Sequence, residues 1–287
     1  MRIVVVTDSH LSPSAIALND NWSAARRFIA SAHADLTIHL GDITVDGLED
    51  PAQFQHAQRI SANWPTPIRW LPGNHDIGDN PPGPGVVAKE PLRLPRLVDF
   101  RAAFGADYWR FDADEFRLIG LNAQLMGMAT AEEAEQWSWV EAQLGDARHA
   151  PLVIFLHKPL FQDSPLDARP HQRYVPSGPR RRLFDLLPPG ALRAVVSGHT
   201  HQYRDRIVDG VRHIWVPSTA FYLPDELQDR VGEKITGLGV LDLARGALRF
   251  DLVCPDGMSR HSALDHPVYP KHVEARARLA ARAPTGV

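Results

Sequence analysis

Five short clusters of metal-binding side chains stand directly behind five apolar runs, and this ordering constrains the fold more than any other feature of the chain. The runs cover residues 3–6, 36–40, 68–71, 152–156 and 194–196. Behind them come Asp8-Ser9-His10, Gly41-Asp42, Gly73-Asn74-His75-Asp76, the single His157, and Gly198-His199-Thr200-His201. Apolar runs this short read as buried strands. A residue just past the end of a parallel strand lies at the carboxyl edge of its sheet, where open α/β folds place their sites. Five strand ends presenting such groups at one edge describe a two-metal centre.

Between the runs the pattern switches to helical spacing. Trp22, Ala25, Phe28, Ile29 and Ala32 mark a helix over 22–33, and a second over 51–63 opens on Pro51, a residue tolerated in a first turn. Alternating strands and helices predict an α/β class with parallel pairing. Prolines and glycines crowd residues 79–95, which predicts an ordered surface loop. Strands over 108–111 and 116–121 suit a hairpin, and a helix over 132–144 follows. A second long loop over 158–178 precedes a short helix at 181–187. Hairpins then pair 203–208 with 211–216 and 238–243 with 247–253. The end of the chain, from about 255, reads as an appended tail with a basic helix over 271–283. No linker divides residues 1–287 into two domains.

Composition narrows the function. The net charge of −3 gives no broad basic face for nucleic acid. One cysteine, Cys254, excludes an internal disulfide, thiolate zinc sites and iron–sulfur clusters; in its apolar run it is expected to be buried. There is no run of about 18 apolar residues, and the N-terminus enters a strand at once, so a cytoplasmic protein without a membrane role is expected. A homo-oligomer is compatible with everything in the sequence.

Asp8 and Asp42 are carboxylates suited to hard divalent ions, and a carboxylate at the Asp42 position can bridge two of them. Asn74 offers an amide oxygen, while His10, His157, His199 and His201 offer imidazole nitrogen. Mixed nitrogen and oxygen donors fit Mn²⁺, Fe²⁺/Fe³⁺ or Zn²⁺ better than Ca²⁺ or Mg²⁺. Two such ions roughly 3.5–4 Å apart make a bridging hydroxide and clamp a phosphoryl group. His75 is left over from ligation and suited to donate a proton to the leaving oxygen, with Asp76 orienting it.

Taken together, this ordered set of motifs resembles the calcineurin-like metallophosphoesterases, most of all the bacterial class III cyclic-nucleotide phosphodiesterases and glycerophosphodiesterases. The resemblance runs to about residue 217. It implies a four-layer αββα sandwich, two mixed sheets between outer helices, and two metals. It further implies that Asp8, His10, Asp42 and His201 hold one ion. Asp42, Asn74, His157 and His199 would hold the other, with His75 as the leaving-group histidine. Where many cyclic-nucleotide members read His-His-Pro, this chain has His157-Lys158-Pro159, which keeps the ligand and adds a cation expected to face phosphate.

The expected activity is metal-dependent hydrolysis of a small phosphate ester, a phosphodiester before a monoester or a nuclease substrate; a non-catalytic scaffold is the reading from another class. Asn74, His75, Lys158 and His171 are expected to touch substrate, with the loops 79–95 and 158–178 selecting the organic group. His39 is expected to be a packed strand histidine. His33, His56, His149, His213, His261, His266 and His272 are expected at the surface or in turns. Arg180, Arg181 and Arg182 read as a solvated helix start, and Trp137 and Trp139 cannot both face one core stripe.

Overall fold

The computed structural model describes residues 1–113, 115–145 and 150–282. Strands β1 (Arg2–Val6), β2 (Leu36–His39) and β3 (Ile68–Trp70) pair in parallel. On the other side of β1, β10 (Leu238–Ala244) and β11 (Ala247–Val253) complete a five-stranded sheet by antiparallel pairing. The second sheet has six strands. Its order is β4 (Trp109–Ala113), β5 (Phe116–Leu121), β6 (Leu152–Leu156), β7 (Leu192–Ser197), β9 (Val211–Trp215) and β8 (Arg204–Val208). Here β5, β6, β7 and β9 run parallel, while β4 and β8 are antiparallel edges.

The period of two along each central strand feeds two different cores. Ile3 and Val5 of β1 face Val153 and Phe155 of β6 across the seam between the sheets. Val4 and Val6 point the other way, toward Trp22 and Ala25 of α1 (Ile16–Ser31), Phe54 of α2 (Ala52–Ile60) and Phe100 of α4 (Leu94–Phe104). On the far side, Ile154 and Leu156 pack against Trp137 and Val140 of α5 (Ala131–Gly145) and Leu183 of α6 (Ser177–Leu186). Each such side chain contributes about 1.5–3 kcal/mol on full burial, and strands buried on both faces can only sit between two layers. The result is the four-layer αββα sandwich, with two mixed sheets between helices.

Several expectations are corrected. Helix α1 begins at Ile16, not 22; its first turn exposes Ile16 and buries Leu18 alone, too little apolar spacing to show it. Helix α4 was not anticipated, because the proline run continues to Pro95; in the first helical turn a missing N–H costs nothing. A one-turn helix, α3 (Asn74–Ile77), carries the third motif. The segment from 255, expected as an appended tail, packs against the rest of the chain. Met258 joins the core under α1, Asn21 and Ser259 exchange hydrogen bonds of 2.7 and 2.9 Å, and α7 (Pro270–Arg282) follows. Cys254 is exposed, one residue past β11. His213 faces inward on β9 beside Phe161, and His272 is buried beside Phe221 and Tyr269. His149 lies outside the described residues. Trp137 is buried while Trp139 meets Tyr108 at the margin. Among the described residues no helix is long and apolar enough to cross a membrane.

Candidate metal centre

All five motifs meet at the carboxyl edge of the sandwich. Asp8 and His10 follow β1, Asp42 follows β2, Asn74 opens α3 after β3, His157 follows β6, and His199 and His201 follow β7. The loops are tied together before any side chain is considered. The Asp8 and His10 amides donate to the Gly41 and Asp42 carbonyls at 2.9 and 3.1 Å, and the Gly198 amide donates to the His157 carbonyl at 2.9 Å. Asp8, His10, Asp42, His199 and His201 all have positive φ, between 45° and 65°. Such a backbone turns the side chain out of the strand line and toward the shared centre.

Two nests of donor atoms result. In the first, Asp8, His10 and His201 bring one oxygen and two nitrogens within 4.8 Å of one another; in the second, Asp42, His157 and His199 do the same. His201 Nδ1 donates to the Phe221 carbonyl at 2.7 Å, and His157 Nδ1 donates to the Leu40 carbonyl at 3.1 Å. Each therefore carries a proton on Nδ1 and turns Nε2 into its nest. His201 Nε2 then faces His10 Nε2 at 3.2 Å and Asp8 Oδ1 at 3.2 Å. His157 Nε2 faces His199 Nδ1 at 3.0 Å, Asp42 Oδ2 at 3.3 Å and Asn74 Oδ1 at 3.4 Å. Asp8 Oδ1 is buried with no hydrogen-bond partner, whereas Asp8 Oδ2 accepts from Thr7 Oγ1 and the His199 amide. Acceptors that converge in a buried space repel unless something positive lies among them. The donor set therefore fits a pair of cations, one per nest.

The electrostatics agree. Burial opposes ionisation of Asp42, yet His157 and His75 hold its carboxyl well below the usual range; His201 does the same for Asp8. Burial and neighbouring imidazoles hold His10, and likewise His199, well below ordinary histidine. His157 goes the other way: burial pulls it down, but Asp42 and Asp8 raise it to about 9. Without a cation, a proton on His157 supplies the missing positive charge; loading the centre displaces it.

Of the expected catalytic and substrate residues, His75 is half-buried at the open side of the nests. Its ring lies 5.1 Å from that of His10 and 4.8 Å from that of Tyr269, and its amide donates to Asp42 Oδ1 at 2.9 Å. Asp76 does not orient that ring. Its carboxylate accepts from the amides of Ile43, Thr44 and Gly73 at 3.1, 3.0 and 2.9 Å and from Thr44 Oγ1 at 2.8 Å, clamping the second and third motif loops together. At the third position of a helix a carboxylate folds back on its own N-terminus, and that geometry prevails here. Lys158 is wholly buried, paired with Asp79 and donating to Asn80 Oδ1 at 2.6 Å, so it faces no phosphate; a buried ammonium takes the nearest carboxylate. His171 is exposed and lines a cavity of about 350 Å³ with Pro82, Arg169 and Tyr174, away from the ligands. Arg180 is buried, its guanidinium on the Leu160 and Val175 carbonyls.

His39 is the packed histidine expected. Nδ1 accepts from the Gly41 amide at 3.1 Å and Nε2 donates to Ser9 at 2.8 Å, which joins the first two motif loops; burial depresses it to about 3. The residue that sequence reasoning missed is Tyr269, whose hydroxyl lies 2.7 Å from His10 Nδ1 across 259 positions of sequence. No motif marks it.

A family model for the calcineurin-like phosphoesterases matches residues 1–203. The chain belongs to that family. Its members are dinuclear metal-dependent enzymes, and this chain is a metal-dependent phosphoric ester hydrolase. It is 26% identical over 230 residues to the Escherichia coli 3',5'-cyclic adenosine monophosphate phosphodiesterase CpdA, covering 76% of each chain. The mouse serine/threonine-protein phosphatase CPPED1 is 29% identical over 160 residues, 52% of this chain and 47% of that one. A dimetal phosphatase from Danio rerio shares the fold at a TM-score of 0.60 and 12% identity, covering 88% of this chain and 95% of its own.

Proposed function

We propose that this phosphoesterase hydrolyses small phosphodiesters, cyclic nucleotides among them, at a centre loaded with two transition-metal ions (Mn²⁺, Fe²⁺/Fe³⁺ or Zn²⁺). The carrying observation is the pair of neighbouring acceptor nests, Asp8, His10 and His201 in one and Asp42, His157 and His199 in the other. Asp8, His10, His201 and Asp42 would hold one ion; Asp42, Asn74, His157 and His199 would hold the other. Bound cations supply Lewis acidity and an acidified water. The residues of the chain do the rest. Asp42 anchors the His75 backbone, and the Tyr269 ring walls one side of the imidazole. As water oxygen bonds to phosphorus and the ester P–O bond breaks, His75 gives its proton to the departing alkoxide. The loops 79–95 and 158–178 select the organic group; Pro82 of one and His171 of the other share a cavity wall.

The diester preference is supported by the bacterial relatives named as cyclic-nucleotide phosphodiesterases, which match three quarters of both chains. A monoesterase is the second reading, favoured by the shorter matches to proteins named as phosphatases. Protein supplied with Mn²⁺ is expected to cleave bis-aryl phosphate and cyclic AMP faster than mono-aryl phosphate. His75→Ala is expected to lower kcat by about 10²–10⁴-fold with metal content unchanged. Faster cleavage of the monoester overturns the diester reading, and a His75→Ala enzyme of normal turnover removes the proton donor from it.

A further inference from the structure

We propose that Tyr269 is a positioning residue of the metal centre: it decides which nitrogen His10 offers, and so makes the C-terminal segment a working part of the site. The inference rests on the dinuclear reading above. The Tyr269 hydroxyl has one proton and two neighbours, the Val45 carbonyl at 3.1 Å and His10 Nδ1 at 2.7 Å. A carbonyl can only accept, so the phenol proton belongs to Val45. The phenol oxygen then accepts from His10, which places the imidazole proton on Nδ1. His10 Nε2 is left bare, 3.2 Å from the Nε2 of His201.

Each of the other Nε2 donors is fixed in the same way by a backbone carbonyl: Phe221 for His201 and Leu40 for His157. Among these three, His10 alone depends on a side chain, which a substitution can remove. That side chain is held in place from both ends. The ring packs against the cluster of Ala15, Leu18, Val45 and Phe221, and its face lies 4.8 Å from His75. The next helix follows at once from Pro270, with His272 buried beneath Tyr269 and Phe221. Without the phenol oxygen, His10 is free to carry its proton on Nε2, pointed into the nest, where it competes with a cation.

The test uses full-length protein and the conservative Tyr269→Phe variant, which keeps the ring and removes only the oxygen. Metal-free samples are titrated with Mn²⁺ and the unbound ion is read by electron paramagnetic resonance. Wild type is expected to take up two ions. Tyr269→Phe is expected to bind one at wild-type affinity and the other about 10–100-fold more weakly, the usual cost of losing an outer partner of a metal-bound histidine. A second readout needs neither metal nor variant: ¹⁵N spectra of the histidine rings of metal-free wild type should show His10 protonated on Nδ1. Unchanged Mn²⁺ affinities in Tyr269→Phe, or a His10 proton on Nε2 in wild type, overturn the proposal. Failure of wild type to take up two ions overturns the dinuclear reading instead, and the ring spectra still judge Tyr269.

Discussion

Five of the seven candidate ligands sit in left-handed backbone, a conformation that costs a residue other than glycine about 1–3 kcal/mol. Aspartate and histidine tolerate it better than most, so ligand chemistry and backbone geometry select the same residue types. The glycines beside them answer a different demand. A Cβ on Gly198 would lie 2.0 Å from Thr7 Oγ1 and 2.7 Å from Asp8 Oδ2, and one on Gly73 would lie 2.1 Å from Asp42 Oδ1. Gly198→Ala should therefore push Asp8 out of its nest. We expect it to cost about 1–3 kcal/mol, the range for overpacking, and to lower metal content to one ion. Elemental analysis finding two ions at wild-type stability would show that the contact relaxes freely. At this scale the candidate ligands could be picked out because their chemistry is written in short motifs, and six of them cluster in the fold. Asp76 and Lys158 were misread for a common reason: where a side chain points depends on partners delivered by other loops, which local sequence does not name.

Strand ends and their helices were equally legible, because burial on both faces leaves long apolar runs. What stayed hidden were elements whose local pattern was masked, α4 behind its proline and the C-terminal segment behind its lack of motif. The two proline-bearing loops show how one element fixes another. Lys158, behind β6, enters the 79–95 loop and pairs with Asp79, while Asn80 turns its amide to the Ala123 and Met126 carbonyls at 3.1 and 2.6 Å. Burial lowers the lysine and raises the aspartate, so the pair survives only by its mutual contact. Lys158→Met should strand the Asp79 charge and cost about 3–5 kcal/mol. Adding Asp79→Asn should recover part of that loss. Chemical denaturation of both variants is the check, and a double variant no more stable than the single one would mean that the pair is not coupled.

For the molecule as a whole, buried neutral imidazoles set an acid limit. His213 is 5% exposed; burial, then Arg206, depresses it to about 4. In the unfolded chain it titrates near 6.5, so between these values the unfolded state binds the extra proton. The stability that His213 contributes is complete above about 6.5 and is lost as pH falls toward about 4. In that window His213→Gln should flatten the slope of stability against pH by up to about 1.4 kcal/mol per unit, measured by denaturation midpoints of metal-free protein. Equal slopes would remove His213 from the account. The layered architecture could be anticipated, but not this, since an inward-facing strand histidine reads like any other in sequence. One consequence of the layering concerns the ions themselves. Each nest draws atoms from both sheets, so every bound cation acts as a rivet through the sandwich. Loading and folding are then a single linked equilibrium, and a chain starved of metal carries its weakest seam where the chemistry takes place.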